Sequence, residues 1–258
     1  MNIVCTGNTR GIGLALTHEF LNHGDNVIIS SRDGGRVSQV VDELGRSYLD
    51  SRIEGKACDV RNSEQVEKLG EFAKETLKSI DIWINNAGIR GPLNPMQETP
   101  VEQYYDVINT NLIGVLNGCK TALKIMLNQP NGGNIFNMAG MGSFGRATPR
   151  MAAYGASKAG IPVLTKSLVE ENRKTPVGIH VLSPGMVISD FAGKNVTPEA
   201  ARIYNILGDL PETVAKVLVP QIRIIQGTGK TIRYLTRRRA MIRFLTARRR
   251  KNRFYETD

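Results

Sequence analysis

Tyr154 and Lys158 stand four residues apart in the run Tyr154-Gly155-Ala156-Ser157-Lys158. The pattern over 153–173 predicts a helix, so both side chains project from one side of it. An ammonium held near a phenol, without meeting it head-on, stabilises the phenolate. A free tyrosine titrates near about 10, and lowering it by about three units corresponds to ~4 kcal/mol, enough for proton exchange near neutral pH. The same spacing also occurs on ordinary helix surfaces. The pair therefore gains meaning from whatever holds it in place.

A second constellation lies at the other end of the chain. A short β-rich segment runs into Thr6-Gly7-Asn8-Thr9-Arg10-Gly11-Ile12-Gly13, and a helical pattern follows. Glycines there permit a tight turn and close approach of backbone to a ligand, and the amides at a helix start receive phosphate. Gly7, Thr9, Arg10, Gly11, Ile12 and Gly13 are accordingly candidate cofactor contacts. The second strand ends in Ser31-Arg32, where an acidic residue would bind a free ribose hydroxyl. Arg32 suits a 2′-phosphate instead, with Arg10 as a second cation, which favours NADP(H) over NAD(H). Asp59-Val60 follows the third strand, where a carboxylate accepts from an adenine amino group. Asn85-Asn86-Ala87-Gly88 follows the fourth, where small residues let backbone pass a cofactor.

The elements that must position these groups alternate along the chain. Strands are expected at 2–6, 26–31, 52–57, 80–84, 133–138 and 178–182, and helices near 11–23, 35–46, 63–78, 101–127, 153–173 and 211–219. Such alternation predicts an α/β fold, a doubly wound parallel sheet (Rossmann fold) with helices on both faces and ligands at the carboxyl ends of the strands. With 258 residues, 41% of them hydrophobic, the chain is long enough to bury a large core without disulfide or metal staples. No apolar run approaches the ~20 residues of a spanning helix. Cys5, Cys58 and Cys119 are scattered and odd in number, which argues against a disulfide framework or a zinc cluster and for a reducing compartment. No metal site is expected. No secretory leader pattern stands before the first strand.

Charge is unevenly placed. The net charge is +10, yet residues 213–255 hold 13 basic side chains and no acidic one. The reading is one domain over 1–225 and a basic, helical extension over 226–258. In a helix over 234–250, Met241, Ile242 and Leu245 fall on one side and Arg239, Arg243 and Arg250 opposite. Such a helix suits an anionic membrane surface. No aromatic stacking platform or base-reading motif accompanies it, so nucleic acid ranks below a membrane. A solvated tail is the plain alternative.

In order and spacing, TGNTRGIG, DV, NNAG, Asn111, YGASK and PGMVIS resemble the short-chain dehydrogenase/reductase family over roughly residues 1–195. The resemblance implies an oxidoreductase in which Tyr154 is the general acid or base and Lys158 orients the ribose and lowers the Tyr154 pKa. Asn111 would hold a water relay to Lys158, and Pro184, Gly185, Val187 and Ser189 would lie along the nicotinamide, with Ser189 bonding its carboxamide. It also implies a homo-oligomer through the helices at 101–127 and 153–173. One departure stands out. The family usually carries a carbonyl-polarising serine about 13 residues before the tyrosine, and that position holds Met141, or Gly140 when aligned by the strand. The nearest hydroxyl is Ser143, which reaches a carbonyl only if the glycine-rich loop 139–145 is remodelled. Pro162, inside the same helix, is expected to kink it or free the Lys158 carbonyl.

Beyond the shared motifs, NIFNMAGMGSFG, GIHVLSPGMVISD, LPETVAKVLVPQIR and GTGKTIRYLT resemble the chlorophyll b reductase branch of the family. That resemblance implies NADPH-dependent reduction of a pigment's ring-B formyl group to hydroxymethyl. The implied setting is a chloroplast, at the stroma or thylakoid surface, with membrane or antenna-complex contact through the basic C-terminus; a cytoplasmic location stays open. Met138, Met141, Phe144, Met151 and Met186 would offer a wide apolar mouth or ordinary core packing. The segment between Ser189 and Leu210 is the place for a substrate lid. Two other readings stay open: a reductase of another carbonyl such as a 3-oxoacyl group on acyl carrier protein, and a non-catalytic NADPH-sensing interaction protein.

Overall fold

The apolar runs pair into one sheet. A computed structural model describes residues 1–191 and 196–256. Its strands are β1 (Asn2–Thr6), β2 (Asn26–Ser30), β3 (Ile53–Gly55), β4 (Ile82–Asn85), β5 (Gly133–Met138), β6 (Val177–Ser183) and β7 (Thr231–Arg233). They lie in the order β3-β2-β1-β4-β5-β6-β7, all parallel. Successive side chains of a strand point to opposite faces, so each strand feeds two cores. Ile3 and Cys5 of β1 join one, with α1 (Gly11–Asn22), α2 (Gly34–Ser47) and α8 (Pro211–Arg223). Val4 joins the other, with α3 (Ser63–Leu77), α5 (Gly114–Met126) and α6 (Ala152–Glu171). The chain reverses direction across the sheet between β1 and β4, and this switch point opens a crevice at their carboxyl ends. The three cysteines are free and buried.

Two expectations need correction. The helix expected over 101–127 is two, α4 (Val101–Ile108) and α5, joined by a π-helical turn Asn109–Ile113. That turn carries Asn111, whose amide bonds the backbone of Ile89. Helix α6 is continuous across Pro162, whose missing N–H leaves the Lys158 carbonyl without its helical donor, as expected. The boundary at 225 does not separate the sheet from an extension, because residues 231–233 form its last strand and Ile232 and Tyr234 are buried. Helices α7 (Pro198–Leu207) and α9 (Arg237–Leu245) complete the described elements. Helix α7 had a legible start, Thr197-Pro198-Glu199: Thr197 accepts from the Ala200 amide at 3.3 Å and proline takes the first turn. The lid segment thus contains α7, and part of it, 192–195, lies outside the described residues.

The C-terminal helix has the two faces expected of it, and the arginine face is the one that meets the body. Arg243 faces inward and is buried, while Met241, Ile242 and Leu245 face out. The cause is Asp209, a buried carboxylate paired with Arg243, Arg250 and Arg253 and accepting from the Tyr234 hydroxyl at 2.6 Å. Arg243 and Arg250 also donate to Leu207 O and Ile206 O, carbonyls at the end of α7 that have no helical partner.

Candidate active site

The glycine loop leaves β1 with Gly7 at φ +68°, and a Cβ there would stand 2.8 Å from Ala87 Cα. Only glycine fits both the turn and the approach of the β4 loop. Asn8 pins the turn from below: its Oδ1 accepts from the Ser30 amide at 2.7 Å and its Nδ2 donates to Thr17 Oγ1 and Ile28 O. Arg10 occupies the N-cap of α1 with no side-chain cap bond. The first-turn amides, from Gly11, Ile12 and Gly13 onward, therefore lack a side-chain acceptor, and an anion supplies one. On this observation the loop fits a dinucleotide pyrophosphate. Thr9 is buried in the turn and Arg10 is exposed.

Ser31 and Arg32 follow β2 at the rim. Arg32 is exposed, and the next carboxylate, Asp33, is spent capping α2 through the Arg36 amide at 3.0 Å. Asp59 is gripped by Arg61, whose Nε lies 3.0 and 2.9 Å from its two oxygens. Burial draws its carboxyl up, but Arg61, with Arg32 beyond, more than reverses this and holds it below the usual value. An adenine amino group would have to share those oxygens with Arg61. Val60 is buried against α5.

Asn86 turns back to the glycine loop, with Nδ2 at 2.9 Å from both Thr6 O and Gly7 O. The Asn86 and Ala87 amides both donate to Thr6 Oγ1 at 3.1 Å. Its amide therefore braces the crevice rather than facing into it, and Ala87 and Gly88 line the passage. Asn111, fully buried, gives its two N–H donors to Ile89 O at 2.8 Å and Ser157 Oγ at 3.2 Å. Its side chain thus has no free donor for a relay to Lys158. The link to α6 runs instead through Ser157, which donates to Tyr154 O at 2.7 Å. Ser157 is a residue the motif contained but its spacing did not single out.

Tyr154 and Lys158 lie one turn apart near the start of α6, 8% and 4% exposed. Lys158 Nζ donates to Met138 O at 3.0 Å, and burial pulls its pKa down to about 8. Burial pushes the Tyr154 phenol up to about 12, with Tyr204 adding to the rise and a backbone hydrogen bond from Met141 opposing it. The expected lowering of Tyr154 by Lys158 is absent in this arrangement, because the ammonium is turned to a strand carbonyl and the phenol is dry.

The Tyr154 hydroxyl rests on Gly140, where a Cβ would come within 2.3 Å of it. A serine at the strand-aligned family position would collide with it. Ser143 folds back on Gly140 in a tight turn: its amide donates to Gly140 O at 3.2 Å, and its Oγ accepts from the Gly140 amide at 2.9 Å. The hydroxyl proton of Ser143 is left to donate. Ser189, across the crevice, lies 3.7 Å from where a Cβ of Gly11 would stand. The segment before it is tied to Asp209 by Ile188 N to Asp209 O at 2.9 Å and Asp209 N to Met186 O at 3.1 Å. Pro184, just past β6, is buried, Gly185 after it is exposed, and Val187 is half-buried. Of the expected apolar mouth, Met138 belongs to the core, whereas Met141 and Phe144 are exposed, joined by Phe191, whose ring stands 5.9 Å from that of Tyr154. Met151 and Met186 are half-buried.

Residues 1–200 match a family model described as short chain dehydrogenase. The chain is 46% identical to "Chlorophyll(ide) b reductase NOL, chloroplastic" of Oryza sativa subsp. japonica, over 87% of this chain and 67% of that protein. It is 43% identical to the protein of that name in Arabidopsis thaliana, over 91% and 70%. Against a longer rice protein, a "Probable chlorophyll(ide) b reductase", it is 40% identical over its whole length but covers 54% of the relative, so the chain spans about half the length of that protein. Among solved structures, the closed form of a serine dehydrogenase complexed with NADP+ superposes with a TM-score of 0.75 at 27% identity, covering 89% of this chain and 94% of that one. An alcohol dehydrogenase from Thermococcus sibiricus reaches 0.78 at 22% identity, covering 90% and 95%, a likeness of fold.

Proposed function

From its place in the short-chain dehydrogenase family, to which the chain belongs, we propose that it is an NADPH-dependent reductase of the ring-B formyl group of chlorophyll b-type pigments. The observation that carries the chemistry is the turn Gly140–Ser143, which brings the Ser143 hydroxyl into the loop on which the Tyr154 hydroxyl rests. Two hydroxyl donors there suit one carbonyl oxygen. The substrate class rests on the relatives named chlorophyll(ide) b reductase, whose similarity runs past the family motifs to the C-terminus, and on the exposed apolar mouth of Met141, Phe144 and Phe191.

When bound, NADPH would supply a hydride to the formyl carbon. The unfilled amides of Gly11, Ile12 and Gly13 would hold its pyrophosphate, and Arg32, with Arg10, its 2′-phosphate. Ser143 donates a hydrogen bond to the formyl oxygen as charge develops there. Tyr154 gives that oxygen its proton, so that formyl becomes hydroxymethyl. Lys158, bonded to Met138 O one turn from the phenol, would orient the ribose and supply the charge that favours phenolate. Ser189 holds the carboxamide side, and Asn111 with Ser157 fixes the start of α6. The chloroplast is the proposed compartment, as in the relatives' names. A homo-oligomer through α4, α5 and α6 is part of the proposal, supported by exposed Tyr105, Leu116 and Val163.

The test is anaerobic incubation of the protein with NADPH and chlorophyll b or its de-esterified form, followed by absorption and chromatography. Loss of the b-type spectrum with a 7-hydroxymethyl product is expected. An unchanged pigment, with NADPH binding confirmed separately, would overturn the pigment assignment and favour another carbonyl.

A further inference from the structure

Helix α9 turns its arginines in and its hydrophobes out. Arg239 donates to Tyr234 O, and Arg243 to Leu207 O and the Tyr234 hydroxyl. Arg250, at the end of the 3-10 turn Ala247–Arg250 that follows α9, donates to Ile206 O. With Ala240 and Ala247 these residues form the face that packs on the body. Opposite them Met241, Ile242, Phe244 and Leu245 are 59%, 55%, 50% and 80% exposed. Arg237, Arg238, Arg248, Arg249 and Lys251 flank this strip and are exposed as well. No carboxylate occurs between Glu212 and Glu256, and Asp209 is buried on the inner side, already paired.

We propose that this outer face docks on an anionic lipid bilayer, with Met241, Ile242, Phe244 and Leu245 at the boundary of headgroups and acyl chains and the flanking cations among the phosphates. Four large apolar side chains held side by side in water need a cover that is itself apolar. Cations on both flanks need one whose polar layer is negative. An acidic protein or a nucleic acid answers the charge but leaves the strip in water. Among the described residues no helix is long and apolar enough to cross a membrane, so α9 lies on the surface. The inner arginines make this a fixed face. It is bonded to the end of α7, the helix whose Tyr204 neighbours Tyr154, so docking sets the mouth of the candidate site beside the bilayer. The inference does not depend on which carbonyl is reduced.

Co-sedimentation of the full chain with vesicles tests it, comparing phosphatidylcholine carrying a minority of phosphatidylglycerol with phosphatidylcholine alone. Binding to the anionic vesicles only, weakening with salt, is expected. Each cation near such a surface is worth about fivefold in partition, so Arg248→Gln with Arg249→Gln lowers binding more than tenfold. Ile242→Ser with Leu245→Ser does the same, while thermal unfolding and turnover of a water-soluble carbonyl stay unchanged. A polarity-sensitive dye on Leu245→Cys shifts to the blue with anionic vesicles, and the native cysteines, all buried, leave it the sole label. Equal retention on both vesicles, binding unaffected by either double substitution, or capture by heparin or an acidic peptide with no dye shift on vesicles would overturn the proposal.

Discussion

The ammonium of Lys158 donates to the carbonyl of Met138 across 3.0 Å, joining the first turns of α6 to the last residue of β5. Both groups are buried. The lysine is thus held by the sheet, one turn from Tyr154, and not by the phenol. Its charge is carried in a dry place, which is costly for folding and useful for a site that must stabilise a phenolate.

That cost gives a signed prediction. The folded pKa of Lys158, about 8, lies below its unfolded value near 10.5. Its contribution to stability is complete above about 10.5 and is lost as the pH falls toward 8. At pH 7 folding bears the full cost of burying the charge. Replacing Lys158→Met is therefore expected to raise the unfolding free energy at pH 7 by about 2 kcal/mol, allowing for the hydrogen bond lost by Met138 O. The gain shrinks as the pH approaches about 10, and turnover is lost. Urea unfolding at both pH values checks it; no gain, or a gain independent of pH, would refute the assignment.

Ser143→Ala separates a polarising hydroxyl from a loop residue. The backbone turn at Gly140–Ser143 keeps its own hydrogen bond in this variant. Expected is a loss of about a hundredfold in kcat with little change in KM, the size seen when one donor to a developing oxyanion is removed. Tyr154→Phe is expected to remove turnover while sparing NADPH binding. If Ser143→Ala instead raises KM alone, the hydroxyl binds substrate without assisting the chemical step.

The local signals were legible for physical reasons. Short continuous apolar runs such as Asn2–Thr6 and the glycine turn after them need only short-range sterics, and both stand in the fold. The i, i+4 placement of Tyr154 and Lys158 follows from helix geometry alone. What escaped is long-range. Asn111 spends its amide on Ile89 and Ser157, and Asn86 on Thr6 and Gly7, partners that no local pattern reveals. The periodicity of α9 gives the helix two faces without saying which meets the body. The buried carboxylate of Asp209 and the unpartnered carbonyls ending α7 decide it for the arginines.

Arg32 tests the choice of cofactor. It is exposed where β2 ends, and the following carboxylate is occupied as a helix cap. Arg32→Glu places like charge against a 2′-phosphate and is expected to weaken NADPH binding about a hundredfold, while NADH changes by no more than about threefold. Titration of the reduced cofactors by fluorescence reads both. An equal loss for the two would show that Arg32 acts as general surface charge.

The Asp209 cluster makes the C-terminal arm part of the candidate site's frame. Burial alone would raise the carboxyl of Asp209, but hydrogen bonds from Tyr234 and Arg253 and the charge of Arg243 hold it below the usual value. The stability it contributes is therefore present at neutral pH and lost in acid, as the pH falls through that lowered value. Its backbone brackets Met186 and Ile188 just ahead of Ser189, so the same residue couples the arm to the proposed nicotinamide side. Asp209→Asn keeps the shape and leaves Arg243, Arg250 and Arg253 facing one another without a counter-charge. A loss of about 3 kcal/mol in unfolding free energy at pH 7 is expected, as for one partner removed from a buried pair. Amide exchange should quicken in α7 and in 186–189 before it does in β1. A change within about 0.5 kcal/mol, the range of an ordinary surface substitution, would mean that the arginines are held by the α7 carbonyls alone.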